Sequence, residues 1–215
     1  MNQAYVYSYG ERLADNIGHG LGVGASIAGL IMLVLVASRY AGALTVTSFS
    51  LYGGTLLLVF SASALYNIVG RGALKKILRL LDHSSIYLMI AGTYTPVALT
   101  GIQGAWGWSL FGTVWGLALT GVALKLLFPG RLEKLSIGLY LATGWAGLAA
   151  IEPLVANLHW AALVLFGIGG VFFSVGVGFH LWTRLKFHNA IWHAFVLAGA
   201  MCHYFSVIFF VRPSL

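Results

Sequence analysis

Seven long apolar stretches follow one another along the chain, separated by short polar or basic segments. They cover about residues 17–38, 43–68, 84–102, 107–128, 135–156, 159–182 and 189–211. A helix needs roughly 20 apolar residues to cross about 30 Å of hydrocarbon, and each stretch is near that length. The runs are continuously apolar and do not alternate, so membrane strands are excluded. The pattern predicts an all-α polytopic membrane protein: a bundle of seven transmembrane helices forming a single domain over residues 1–215. The short connections predict that neighbours in sequence pack as neighbours in space.

Composition sharpens this picture. Hydrophobic residues make up 60% of the 215 residues and charged residues only 8%. A soluble domain is nearer half apolar and a quarter charged, so a soluble or disordered chain is excluded. The net charge of +7 does not point to nucleic acid, because the few basic residues sit between apolar runs rather than on one face. Cys202 is the single cysteine, which leaves no intrachain disulfide or CxxC knuckle. The polar N-terminus lacks a basic segment followed by a short apolar run, so no removable signal peptide is expected.

The basic residues set an orientation. One side of the predicted bundle carries Arg12, Arg71, Lys75, Lys76, Arg79, Lys125, Arg131, Lys134, Arg184 and Lys186. The other carries only Arg39 and Arg212. By the positive-inside rule the first side, with the N-terminus, is cytoplasmic and the C-terminus is outside. The expected location is the cell inner (plasma) membrane, with membrane lipids as the partners. Trp106, Trp108, Trp160 and Trp182 fall near span ends, as in interfacial aromatic belts. Glycines at 18, 20, 22 and 24, and at 167, 170, 176 and 178, predict close helix packing.

Ionisable and polar groups inside spans are costly and therefore mark function. On the basic side, Glu11, Asp15, Asn16 and His19 lie at the start of the first span. Ser61, Ser63 and Asn67 end the second, Asp82, His83 and Ser84 open the third, and His188, Asn189 and His193 open the seventh. Four helix ends thus bring polar side chains to one layer. Ser63 and Asn67 share a helix face, as do Asn189 and His193, being four residues apart. Such pairs hold a metal or a substrate between helices, or tie the helices together by hydrogen bonds. Both readings are open for this layer, and asparagine is a weak ligand for zinc. His203 lies ten residues beyond His193, about 15 Å along the helix, and is expected to be a satisfied core histidine. His159 is expected at the opposite surface, and Glu152 in water.

Several strings resemble bacterial hemolysin III proteins. They are LDHSSIYLMIAGTYTP at 81–96, SALYN at 63–67, LFGTVWGLALTG at 110–121 and NAIWHAFVLAGAMCH at 189–203. The spacing E-x-x-x-D-N-x-x-H from Glu11 to His19 fits as well. Those proteins belong with the progestin and adipoQ receptors, including the adiponectin receptors. The resemblance implies a zinc ion held by three histidines, with a serine and an aspartate beside it, and a link to alkaline ceramidases, which hydrolyse lipid amides. Carried over, Ser63 and Asp82 take the serine and aspartate positions as catalytic residues, and His193 is a metal ligand. The other two ligand positions fall on Asn67 and Asn189, where histidine is absent.

This departure implies weak or absent zinc at the resemblance's site, with histidine at 67 and 189 restoring about one zinc per chain. His19, His83 and His188 are the auxiliary ligands to consider. His188 is expected to turn about 100° from Asn189 and closer to the surface. The functions implied are a zinc-dependent lipid hydrolase with an impaired site, a non-catalytic lipid-binding or receptor-like protein, and, third, a membrane-lytic protein. The orientation is testable directly. A C-terminal reporter active only outside the cytoplasm should be active, and one active only inside should be silent. The opposite pair of results overturns the orientation.

Overall fold

A computed structural model describes residues 8–39 and 42–211. Arg212, counted above on the sparsely charged side, lies outside the described residues. The described residues form helices α1 (Tyr9–Ala37), α2 (Ala43–Ile68), α3 (Ala73–Pro96), α4 (Gly104–Leu127), α5 (Glu133–Gly144), α6 (Ile151–Asn157), α7 (Trp160–Leu181) and α8 (His188–Phe210). A π-helical turn at Val97–Ile102 continues α3, and a 3-10 turn at Ala146–Ala150 joins α5 to α6. Among the described residues, seven helical segments are long and apolar enough to cross a membrane. α3 and its π turn are the hub: 72% of its apolar window is buried inside the protein, against 50% or less for the others. Around it α2, α1, α8 and α7 pack in turn, and α4 lies along its other side.

The first span starts at Tyr9, eight residues before the apolar run begins. Ser8 and Glu11 explain this. The Glu11 carboxylate accepts from the Ser8 backbone N–H and hydroxyl, while the Glu11 N–H donates to Ser8 Oγ. This capping box satisfies the first free backbone donors. The stripe of α1 that packs inward is Glu11, Asp15, His19, Gly22, Ser26, Gly29, Leu33 and Ala37. Leu13, Ile17, Leu21, Ile27, Ile31 and Leu35 point away from the bundle. Small and polar residues therefore face protein and large apolar ones face outward, the reverse of a soluble helix.

α3 likewise begins at Ala73, eleven residues ahead of the apolar run, as an amphipathic turn with Leu78 buried and Lys76 and Arg79 exposed. The expected continuous fifth span is broken between α5 and α6. Tyr94 of α3 fills the break: its hydroxyl donates to Gly144 O at 2.6 Å and accepts from Gly147 N at 3.0 Å. Irregular backbone at this depth persists only where protein groups satisfy it. The same holds after Pro96, which lacks an N–H. Thr95 and Thr100 donate to the carbonyls of Ala91 and Pro96, and Gln103 N closes the π turn on Ala98 O at 2.9 Å.

The glycines divide into two groups. A methyl group on Gly22 would lie 2.5 Å from the Phe60 ring, and one on Gly169 would strike the His203 ring and come within 3.0 Å of Gly199 O. Gly170 abuts Trp145, and Gly176 abuts Trp192 and Phe195. Gly18, Gly20, Gly24, Gly167 and Gly178 have open space around them, so the expectation of helix packing fails at these five. They lie on outward faces, where nothing needs a small residue. Gly169→Ala should therefore destabilise the protein by about 1–3 kcal/mol through overpacking. Gly24→Ala should leave stability unchanged or slightly raised, since alanine favours helix. Melting of both variants in detergent checks this, and equal effects would refute the packing assignment.

Candidate metal centre

The polar residues at the basic end gather where α1 meets α8. Asp15 and His19 are four apart on α1, so both project into the bundle from one face. His193 reaches them from the second turn of α8. Its Nδ1 lies 2.5 Å from Asp15 Oδ1, and His19 Nε2 lies 3.7 Å from Asp15 Oδ2. The Asp15 carboxylate thus has an imidazole at each oxygen. The two rings approach with centroids 4.4 Å apart. Asp15 and His19 are buried and His193 is half-buried.

One ligand atom from each of Asp15, His19 and His193 can be chosen so that all lie within 4.8 Å of one another. Two imidazoles and one carboxylate are a donor set that suits zinc or ferrous iron. Three protein ligands leave a position for water or substrate, as in catalytic sites. The residues present therefore fit a divalent cation. These candidate ligands lie on a different pair of helices than the resemblance implied, α1 and α8 rather than α2 and α8.

Asp82 of α3 adjoins this group. Its carboxylate is beside the Ser63 hydroxyl of α2 and in the field of His193, His19 and Asp15. Asn67 sits apart from it, donating through Nδ2 to Asn16 Oδ1 at 2.9 Å across the α1–α2 seam. Asn189 is half-buried in the first turn of α8. His188 differs from its expected surface position: it is buried, in the field of Glu11, Asp15 and His193. The reason is local backbone. Phe187 is left-handed, with φ of 63°, and its N–H donates to Glu11 Oε1 at 3.0 Å. That bond draws the start of α8 onto α1, so His188 is not placed by interior helix geometry.

His83 follows Asp82 and turns about 100° further around α3, toward Lys125, Glu133 and His180. It is not part of the metal-type group. His203 packs between Phe166 and Phe173, with Nε2 3.2 Å from Phe166 O. His159 caps α7 by accepting from Ala161 N and stacks on Phe210. Glu152 is exposed. Asp15 as a ligand partner was missed from sequence. Its signal was the same four-residue spacing, to His19, that singled out the pairs at 63/67 and 189/193.

Comparison with known proteins finds relatives over nearly the whole chain. The family model described as Haemolysin-III related matches residues 12–204. The Hemolysin-3 homolog of Bacillus subtilis (strain 168) is 40% identical over 205 residues, covering 95% of this chain and 96% of that protein. Hemolysin-3 of Bacillus cereus is 41% identical over 204 residues, covering 95% and 93%. The Monocyte to macrophage differentiation factor of Homo sapiens is similar at 25% identity over 163 residues, covering 73% and 67%. With nearly the whole chain matched and seven membrane-spanning helices, this is a multi-pass membrane protein that belongs to the hemolysin III family.

Proposed function

We propose that this chain is a metal-dependent hydrolase of membrane lipids, acting on an amide bond near the headgroup. The observation that carries the reading is the Asp15–His19–His193 group with Asp82 beside it, enclosed between helices at the polar end of a membrane bundle. Ionisable groups in such a position are retained for function. The basic end then faces the cytoplasm, residues 1–215 act as one unit in the plasma membrane, and the lipid arrives laterally from the bilayer. A divalent cation held by Asp15, His19 and His193 supplies Lewis acidity, polarising a carbonyl and acidifying a water.

The chain's own residues do the remaining work. The Asp82 carboxylate accepts the proton of the attacking water and returns it to the leaving nitrogen, giving a fatty acid and an amine. The Ser63 hydroxyl holds the Asp82 carboxylate in one orientation. The Glu11 bond to Phe187 N fixes α8 against α1, and with it the position of His193. This reading departs from the weak occupancy implied by Asn67 and Asn189. Asp15 and His19 stand in their place as ligands, and an anionic carboxylate compensates for a missing imidazole.

Two outcomes test it. The purified chain should hold about one zinc, measured by mass spectrometry of metals. Asp15→Asn, His19→Gln and His193→Gln should each weaken binding by more than the roughly 10–100-fold seen when outer partners are lost. Asn67→Ala should not change it. Zinc retained by all three ligand variants would refute the assignment. In proteoliposomes containing an N-acylated sphingoid lipid, the zinc-loaded chain should release fatty acid. Asp82→Asn should lower the rate by about 10²–10⁴-fold, with zinc content unchanged. Dye leakage without fatty-acid release would favour a lytic protein instead.

A further inference from the structure

A second polar centre lies on the other side of α3, at the same end of the bundle. Its anchor is Lys125, in the last turn of α4, whose side chain is 3% exposed. A lysine at a span end ordinarily snorkels to water. This one turns inward, and Nζ donates to Glu133 Oε2 at 2.7 Å. Glu133 Oε1 lies 3.5 Å from Arg79 Nη2 of α3. His83 of α3 is in the field of Lys125, Arg79, Glu133 and His180. His180 of α7 is in the field of His193 and His188 and, beyond them, of Glu133 and Lys125.

Two features of this centre are incomplete. An ammonium carries three N–H donors, and among the described residues Glu133 is the one hydrogen-bond partner of Lys125. The buried His180 Nδ1 has no partner among the described residues. Buried polar groups are nearly always paired, so the free Lys125 donors point to an acceptor that the protein does not supply, and His180 Nδ1 to a further polar partner. Charge gives the sign of the acceptor. Lys125 and Arg79 share one carboxylate, which leaves a surplus positive charge at the edge of the group, on the half-exposed Arg79. The nearby hydroxyls of Tyr140 and Tyr87 donate to His83 O and Ser136 O, and neither is a hydrogen-bond partner of Lys125 among the described residues.

We infer that Lys125, Arg79, His83 and His180 form an anion site that holds the phosphate of an anionic phospholipid headgroup, one that brings no cation of its own. A phosphodiester carries one negative charge, which matches the surplus, and several acceptor oxygens, which match the free donors. The half-exposed Arg79 and Glu133 put the edge of this group at the end of the bundle, at headgroup level. Arg79 is the residue that can bind a phosphate with two parallel N–H groups. The site needs no metal, so it stands or falls separately from the hydrolase reading.

The test uses the purified chain in neutral detergent with chelator present throughout. Phosphatidylglycerol should raise the melting temperature in a saturable way, and phosphatidylcholine or inorganic phosphate at equal concentration should do so far less. Lys125→Met/Glu133→Gln removes the ion pair together, which preserves packing better than removing one partner. It should weaken the apparent phosphatidylglycerol affinity about tenfold or more, the loss of one hydrogen bond to a charged group. Arg79→Gln, on a half-exposed side chain, should weaken it several-fold without lowering the lipid-free melting temperature. This second variant decides the matter if the double variant does not fold. Unchanged phosphatidylglycerol affinity in the folded variants would overturn the proposal. Equal stabilisation by phosphatidylcholine would overturn the anion assignment, and equal stabilisation by inorganic phosphate would overturn the lipid assignment.

Discussion

The Asp15 carboxylate, held between His193 and His19, is the contact on which the polar end of this protein depends. Asp15 is buried, and at membrane depth a carboxylate without partners is prohibitively costly. Its needs bring the first helix against the last and close the bundle on that side. The inward stripe of α1 follows from the same constraint, with Glu11 one turn before Asp15 and small residues beyond His19. Glu11 contributes twice, capping its own helix and receiving the N–H of Phe187. One end of α1 thus organises the start of α8, which in turn positions His193.

α3 divides the polar end into two chemically distinct halves. Asp82 and His83 are consecutive, so their side chains leave the helix about 100° apart. Asp82 faces the carboxylate–imidazole group of α1 and α8, together with Ser63. His83 faces the cationic group of α4, α5 and α7. One half is rich in metal-ligating donors and the other in positive charge.

Two backbone irregularities inside the spans are repaired by side chains. The break between α5 and α6 and the π turn after Pro96 each free backbone groups at membrane depth. Tyr94 serves both sides of the first, and threonine hydroxyls serve the second. Neither departure was visible in hydropathy, which responds to the apolar character of a window and not to the continuity of its hydrogen bonds.

The sequence by itself determined the number of spans, their apolar character, the polar layer at one end and the family. These follow from length, composition and local strings, which need no knowledge of neighbours. His203 and His159 were also legible, because depth along a helix is fixed by residue count. Only the tertiary structure decided which polar residues meet. In a membrane the lipid-facing and protein-facing sides of a helix are both apolar, so hydropathy does not fix rotation about the helix axis. That rotation turns Asp15 and His19 toward His193, leaves Gly18, Gly20 and Gly24 on the outside, and directs Lys125 inward. The helix start at Tyr9 had a local signal, the Ser8-x-x-Glu11 capping spacing, which hydropathy does not weigh. The start at Ala73 was hidden for a related reason: Leu78 is buried only against neighbouring helices, and that contact exists only once the chain has folded.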